Sequence, residues 1–222
     1  MGTMTTIVAD DGFRLAAYLA EPAGAPRGAL VLIQEIFGVN GHIRDVCDGY
    51  AYDGYRVLAP ALFDRYEKGV ELDYTADDIA RGRALRAMAT ADAAMADVEA
   101  ARAEVALAGR VGIIGYCWGG TIAWLAACRI TRLACAVCYY GGGILEASAE
   151  QPKCPVLAHF GERDTAIPIA GVKDFAAAHP EVAVHIYAAD HGFNCDRRGA
   201  YDAAASTLAR QRTLDFLRRQ IG

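Results

Sequence analysis

Three residues in the second half of the chain have the types and the order that nucleophilic catalysis requires: Cys117, Asp164 and His191. Cys117 is the centre of Gly115-Tyr116-Cys117-Trp118-Gly119-Gly120, a G-x-C-x-G pattern lying between an apolar run and an apolar helical segment. A residue on such a sharp strand-to-helix turn has strained backbone, and small residues two positions before and after it keep the turn free of collisions. The amino end of the following helix favours negative charge, so a thiol placed there ionises more readily than an isolated one. A thiol nucleophile needs a base, and the base needs a group to orient it. His191, in Asp190-His191-Gly192-Phe193, and Asp164, in Gly161-Glu162-Arg163-Asp164, each follow an apolar run and supply those two roles. Asp190 is a rival to Asp164, but adjacency in sequence to His191 makes the side-chain contact awkward. Taken singly, the cysteine reads first as a buried structural thiol, and the other two read equally as turn residues. The three together, in the order nucleophile, acid, histidine, read as one catalytic set.

A fourth element is Gln34-Glu35-Ile36-Phe37-Gly38, directly after the run Ala29 to Ile33. Glu35 reads either as a solvated strand-end carboxylate or as part of the site. The chain order above is that of the α/β-hydrolase topology, in which this loop provides one oxyanion-hole amide and the residue after the nucleophile the other. Those positions are Ile36 and Trp118. Each donor to the developing oxyanion contributes about 3 kcal/mol.

The elements that must position these residues are legible as alternating patterns. Ala29 to Ile33, Arg56 to Ala59, Arg110 to Ile114, Ala134 to Cys138, Val156 to Phe160 and Val182 to Tyr187 read as buried strands. Thr75 caps a helix with Asp77 and Asp78 in its first turn, and the alanine-rich pattern is expected to run to about Leu107 before Gly109 stops it. Further helices are expected over Gly119 to Cys128, Ala170 to Ala178 and Tyr201 to Arg219, the last with Leu208, Leu214, Phe216 and Leu217 on or near one face. Thr6 to Val8 and Leu15 to Leu19, joined through Asp11-Gly12, form a leading hairpin. Alternation of this kind predicts a mostly parallel central sheet with helices on both faces, in one domain spanning residues 1–222. Sites in such sheets lie at the carboxyl ends of the strands.

At 54% hydrophobic and 22% charged, the composition excludes disorder. A net charge of −5 with scattered basic residues excludes a nucleic-acid or anionic-membrane footprint, so neither partner is expected. No apolar run reaches the ~18 residues of a membrane span. The amino end, Met1 to Asp10, shows no secretory pattern, and seven cysteines make an odd number, so free thiols in the cytoplasm are expected. Cys135-x-x-Cys138 falls in a strand without a second ligand pair, and no metal or organic cofactor is expected. His42, His159, His179 and His185 read as structural, with His159 and His185 inside strands. The protein is expected to act on a small molecule, as a monomer or small homo-oligomer.

These motifs together resemble the dienelactone hydrolase family, a member of the α/β-hydrolase superfamily, over essentially the whole chain. The resemblance implies a Cys-His-Asp triad of Cys117, His191 and Asp164, with Glu35 keeping the resting thiol uncharged and taking its proton when substrate binds. It also implies hydrolysis of a lactone or small carboxylic ester through a thioester. Family members that open dienelactone hold its free carboxylate with arginines, one of them four residues after the histidine. That position here is Cys195. Arg197 and Arg198 lie close by, and Arg81 or Arg83 could reach the site from the long helix; Phe37 and Tyr139, with Arg81, complete the expected substrate contacts. Thioester hydrolysis or acyl transfer by the same triad, and a non-catalytic thiol sensor, are the competing readings.

Overall fold

The computed structural model describes residues 1–222, and its eight strands form one sheet. A hairpin opens it, β1 (Thr3–Val8) pairing antiparallel with β2 (Arg14–Ala20). β2 in turn lies antiparallel to β4 (Arg56–Pro60). From there the sheet is parallel: β4, β3 (Ala29–Ile33), β5 (Val111–Tyr116), β6 (Cys135–Tyr139), β7 (Val156–Gly161) and β8 (Ala183–Tyr187). β3, β5, β6 and β7 are buried at every position, which explains why they read as unbroken apolar runs and not as alternating ones. All eight strands and their order are those of an α/β-hydrolase sheet with an antiparallel leading hairpin.

Two helix expectations are corrected. The segment 75–107 is two helices, α2 (Ala76–Met88) and α3 (Ala91–Val105). Thr90 ends the first and starts the second: its hydroxyl accepts from Ala93 N–H at 3.3 Å, and its own N–H donates to the Tyr66 hydroxyl at 3.1 Å. A side chain able to satisfy backbone groups locally breaks a run that alanine content alone would continue. The second correction is a helix not anticipated, α1 (Gly41–Tyr52), capped by Asn40, whose side chain accepts from Ile43 N–H. Its buried residues His42, Ile43, Cys47, Tyr50 and Ala51 follow helical spacing, but the polar residues between them mask the stripe. α4 (Trp118–Arg129) and α5 (Ile169–Ala178) fall where expected. α6 (Ala203–Gln220) does too, although it buries Ala205, Ala209, Thr213, Phe216 and Leu217 while Leu208 faces outward. No helix is long and apolar enough to cross a membrane.

A core of 66 residues runs along both faces of the sheet. α4 is buried from Trp118 to Cys128, so the helix that follows the G-x-C-x-G turn is anchored along its length. The seven cysteines are all free, and Cys135 and Cys138 lie fully buried in β6, where burial raises their thiols.

Candidate active site

β5 ends at Tyr116, α4 begins at Trp118, and the whole reversal is made at Cys117, which has φ +55°. A Cβ on Gly115 would stand 1.8 Å from the Gly119 carbonyl oxygen, and one on Gly119 would stand 2.4 Å from that of Ile33. Both obstacles are backbone, so neither can yield; this is the physical content of the glycine spacing around the cysteine.

The turn lifts Cys117 Sγ to 3.2 Å from His191 Nε2. On the other side of the ring, His191 Nδ1 lies 2.7 Å from Asp164 Oδ2. The second oxygen of Asp164 accepts from Ala166 N–H at 2.8 Å and Ile167 N–H at 3.2 Å, which fixes the carboxylate in a buried position. Asp190 makes a different contact, accepting the His191 backbone N–H at 2.6 Å. It holds the loop, while Asp164 meets the ring. Burial pushes the His191 imidazole down, but hydrogen bonds to Asp164 and Cys117 outweigh it and lift the group to about 10. The ring also leans on Tyr140, with centroids 5.2 Å apart.

Cys117 and His191 open into a cleft of about 360 Å³. Ile36 and Trp118 line it, and neither amide is consumed by backbone hydrogen bonding, so both are available to an oxyanion. Trp118 is held by stacking on Phe63, with centroids 5.1 Å apart. Phe37 also lines the cleft.

Two expected substrate contacts are corrected. Tyr139 is fully buried; its hydroxyl hydrogen-bonds with Thr213 at 2.7 Å and its ring stacks on Tyr116. β6 ends at Tyr139, and Tyr140, just past it with φ +37°, is the residue whose ring lies against His191. Arg81 is exposed and paired with Glu67. Arg83 and Arg86 line the cleft instead, together with Ile79, at the i, i+4, i+7 spacing of one helix face, whereas Arg81 lies about 200° around α2 from Arg83.

The third cleft arginine is Arg198, three residues beyond Cys195. Its guanidinium stands 3.5 Å from Glu35 Oε1. Glu35 is fully buried, and its other oxygen faces the Tyr74 hydroxyl at 3.4 Å. The structure thus brings Cys117, His191 and Asp164 into one hydrogen-bonded line but turns Glu35 to Arg198 and Tyr74, not to the thiol. Arg198 was expected from sequence only as lying close to Cys195, and Arg86 and Tyr74 were not singled out as contacts, because each reaches the site from a segment whose placement depends on its neighbours. Behind Glu35 lie Cys195 and His42; a donor atom from each of the three falls within 4.8 Å of the other two.

Residues 15–221 match the dienelactone hydrolase family. The chain belongs to that family. Carboxymethylenebutenolidase of Pseudomonas putida is 35% identical over 221 residues, covering 93% of this chain and 92% of the other. A candidate carboxymethylenebutenolidase of Synechocystis sp. is 35% identical over 240 residues, covering 99% and 97%. The crystal structure of a candidate dienelactone hydrolase from Klebsiella pneumoniae superposes with a TM-score of 0.84 at 28% identity, over 96% of this chain and 98% of that one. The family has the α/β-hydrolase fold, and hydrolysis of carboxylic ester or lactone bonds is the class to which the protein is thereby assigned.

Proposed function

We propose that the protein opens a lactone, or cleaves a small ester, that carries a carboxylate, using Cys117 as nucleophile, His191 as base and acid, and Asp164 to orient His191. The observation that carries this reading is the line Cys117 Sγ, His191, Asp164, with contacts of 3.2 and 2.7 Å, at a cleft lined by three arginines.

In the cycle, the Cys117 proton passes to His191 Nε2 and the thiolate adds to the carbonyl carbon. The oxyanion is taken by the Ile36 and Trp118 N–H groups. Its collapse breaks the bond to the alkoxy oxygen, which receives the proton from His191, and leaves a thioester on Cys117. Water then attacks the thioester, His191 takes a proton from it, and the thiolate departs and recovers that proton. No cofactor enters these steps.

Arg83, Arg86 and Arg198 give the cleft wall positive charge suited to a carboxylate, in place of the arginine absent at Cys195. Arg198 has a second part. It is the ion-pair partner of Glu35, so a substrate carboxylate that draws Arg198 forward frees the Glu35 charge, which then favours the His191 imidazolium formed as the Cys117 proton moves to Nε2. This coupling keeps the thiol sluggish until the cleft is filled, protecting it from oxidation.

The test is hydrolysis of cis- and trans-dienelactone, a neutral lactone, a short p-nitrophenyl ester and a thioester, with Cys117→Ala as blank. Preference for the carboxylate-bearing lactones supports the reading. Equal or better rates on neutral substrates refute the role of the arginines, and a Cys117→Ala protein with the wild-type rate refutes the nucleophile.

A further inference from the structure

The buried polar cluster behind Glu35 is not used by the steps above. Its members come from three distant segments: Glu35 after β3, His42 in the first turn of α1, and Cys195 in the loop after His191. All three residues are buried, with Glu35 and Cys195 at 0% and His42 at 3% exposure. A carboxylate oxygen, a ring nitrogen and a thiol sulfur lie within 4.8 Å of one another. His42 presents an unusual feature. Its Nδ1 faces Asp196 Oδ1 at 3.5 Å, while its Nε2 is buried and has no hydrogen-bond partner. The Tyr140 hydroxyl, whose pKa is raised first by burial and then by the charges of Glu35, Cys195 and Cys117, is likewise buried without a partner. Orphaned buried donors and acceptors are costly, so two of them around one cluster point to an occupant that satisfies them.

We infer that Glu35, His42 and Cys195 form a site for a thiophilic divalent cation of the zinc class, whose occupancy restrains the nucleophile. One imidazole nitrogen, one thiolate and one carboxylate make a borderline-soft donor set, suited to zinc and unsuited to magnesium or calcium. Three protein ligands leave a fourth position open. With bonds of about 2.0 to 2.3 Å in a tetrahedron, the donors would sit roughly 3.3 to 3.6 Å apart, so donors now within 4.8 Å of one another close by at most about 1.5 Å on loading. The Asp196 contact at Nδ1 orients the His42 ring so that Nε2 is the nitrogen left to coordinate, the usual outer-shell arrangement for a metal-binding histidine. A cleft of about 230 Å³, with His42, Asp45, Asp196 and Arg210 in its wall, reaches His42 from solvent and shares no lining residue with the substrate cleft. Loading forms the bonds to nitrogen, sulfur and oxygen, sends the Cys195 proton to solvent, and involves no redox change. It also draws Glu35 from Arg198. The restraint of the nucleophile rests on the part proposed above for Glu35; the existence of the site does not.

Cobalt(II) is the probe, read by its thiolate charge-transfer absorption, in a Cys117→Ala protein so that the Cys117–His191 pair cannot hold the ion. The expected result is one cobalt per chain, displaced by zinc, with the absorption lost in Cys195→Ser and affinity at least tenfold weaker in His42→Gln. Absence of the absorption in Cys117→Ala means that ordered water, not a metal, satisfies His42, and overturns the site. So does absorption that survives Cys195→Ser, which would put the ion on another thiol. In the enzyme with Cys117 intact, zinc is expected to slow ester hydrolysis at least tenfold and Cys195→Ser to remove that sensitivity. Equal inhibition of both proteins places zinc on Cys117 and His191 and overturns the restraint. Cobalt binding without inhibition overturns the restraint, and with it the part given to Glu35, while leaving the hydrolysis tests on Cys117 untouched.

Discussion

Replacing Asp164 by asparagine isolates what orientation of His191 contributes. The asparagine oxygen can keep both contacts of Asp164 Oδ1, the N–H groups of Ala166 and Ile167, so the loop holds. Its amide nitrogen then faces His191 Nδ1, which must become an acceptor, and the ring proton moves to Nε2, the nitrogen aimed at Cys117. A ring in that tautomer cannot take the thiol proton. The magnitude follows from His191 itself. An elevation from 6.5 to about 10 favours the imidazolium by about 5 kcal/mol, achieved against burial by Asp164 and Cys117 together. Assigning about half to Asp164 gives about 2 to 3 kcal/mol, or roughly 100-fold in rate, and the tautomer change adds to it. The assay is p-nitrophenyl acetate hydrolysis, with iodoacetamide alkylation of Cys117 followed from about pH 5 to about pH 10. Asp190→Asn, which retains an oxygen for the His191 backbone N–H, is the control and is expected to stay within about threefold of wild type. A folded Asp164→Asn protein keeping more than about a tenth of the wild-type rate, with an unchanged alkylation profile, would refute the reasoning.

Arg83→Ala and Arg86→Ala are each expected to raise KM for a carboxylate-bearing substrate by about tenfold and leave a neutral ester unaffected, whereas Arg81→Ala, outside the cleft, leaves both unchanged; KM values that fail to separate Arg81 from the other two count against the assignment. Gly115→Ala forces a Cβ to 1.8 Å from a backbone oxygen, so a loss of about 3 kcal/mol or more is expected in urea unfolding, and a near-wild-type midpoint would contradict the turn geometry. His159 is buried between Tyr187 and Thr213 and held well below its ordinary 6.5 by burial. The unfolded chain therefore binds a proton below pH 6.5 that the native state does not, so stability falls as pH drops through that value, by up to about 1.4 kcal/mol per pH unit. His159→Gln removes this slope, and urea unfolding at successive acid pH values checks it.

Much of the architecture was legible because its causes are local. β3, β5, β6 and β7 are buried on both faces, so each must be a continuous apolar run, and the turn at Cys117 leaves no room for a side chain at Gly115 or Gly119. The positions of Cys117, Asp164 and His191 after β5, β7 and β8 were readable for the same reason: parallel strands put their carboxyl ends on one edge. Thr90 was visible as a residue but not as a break, since its effect depends on Tyr66 meeting its N–H from a distant segment. α1 was hidden because its buried stripe contains a histidine and a cysteine in place of leucines.

The sequence by itself determined which residues could react and which strand each follows, because backbone sterics, burial and chain order are written in adjacent residues. Only the tertiary structure decided that Asp164 and not Asp190 meets the His191 ring, that Tyr140 and not Tyr139 faces it, that Arg83, Arg86 and Arg198 line the cleft while Arg81 turns away, and that Glu35, His42 and Cys195 converge. Those choices depend on side-chain direction and on contacts between segments separated by 27 residues, for Asp164 and His191, to 163, for Glu35 and Arg198, which no local pattern encodes.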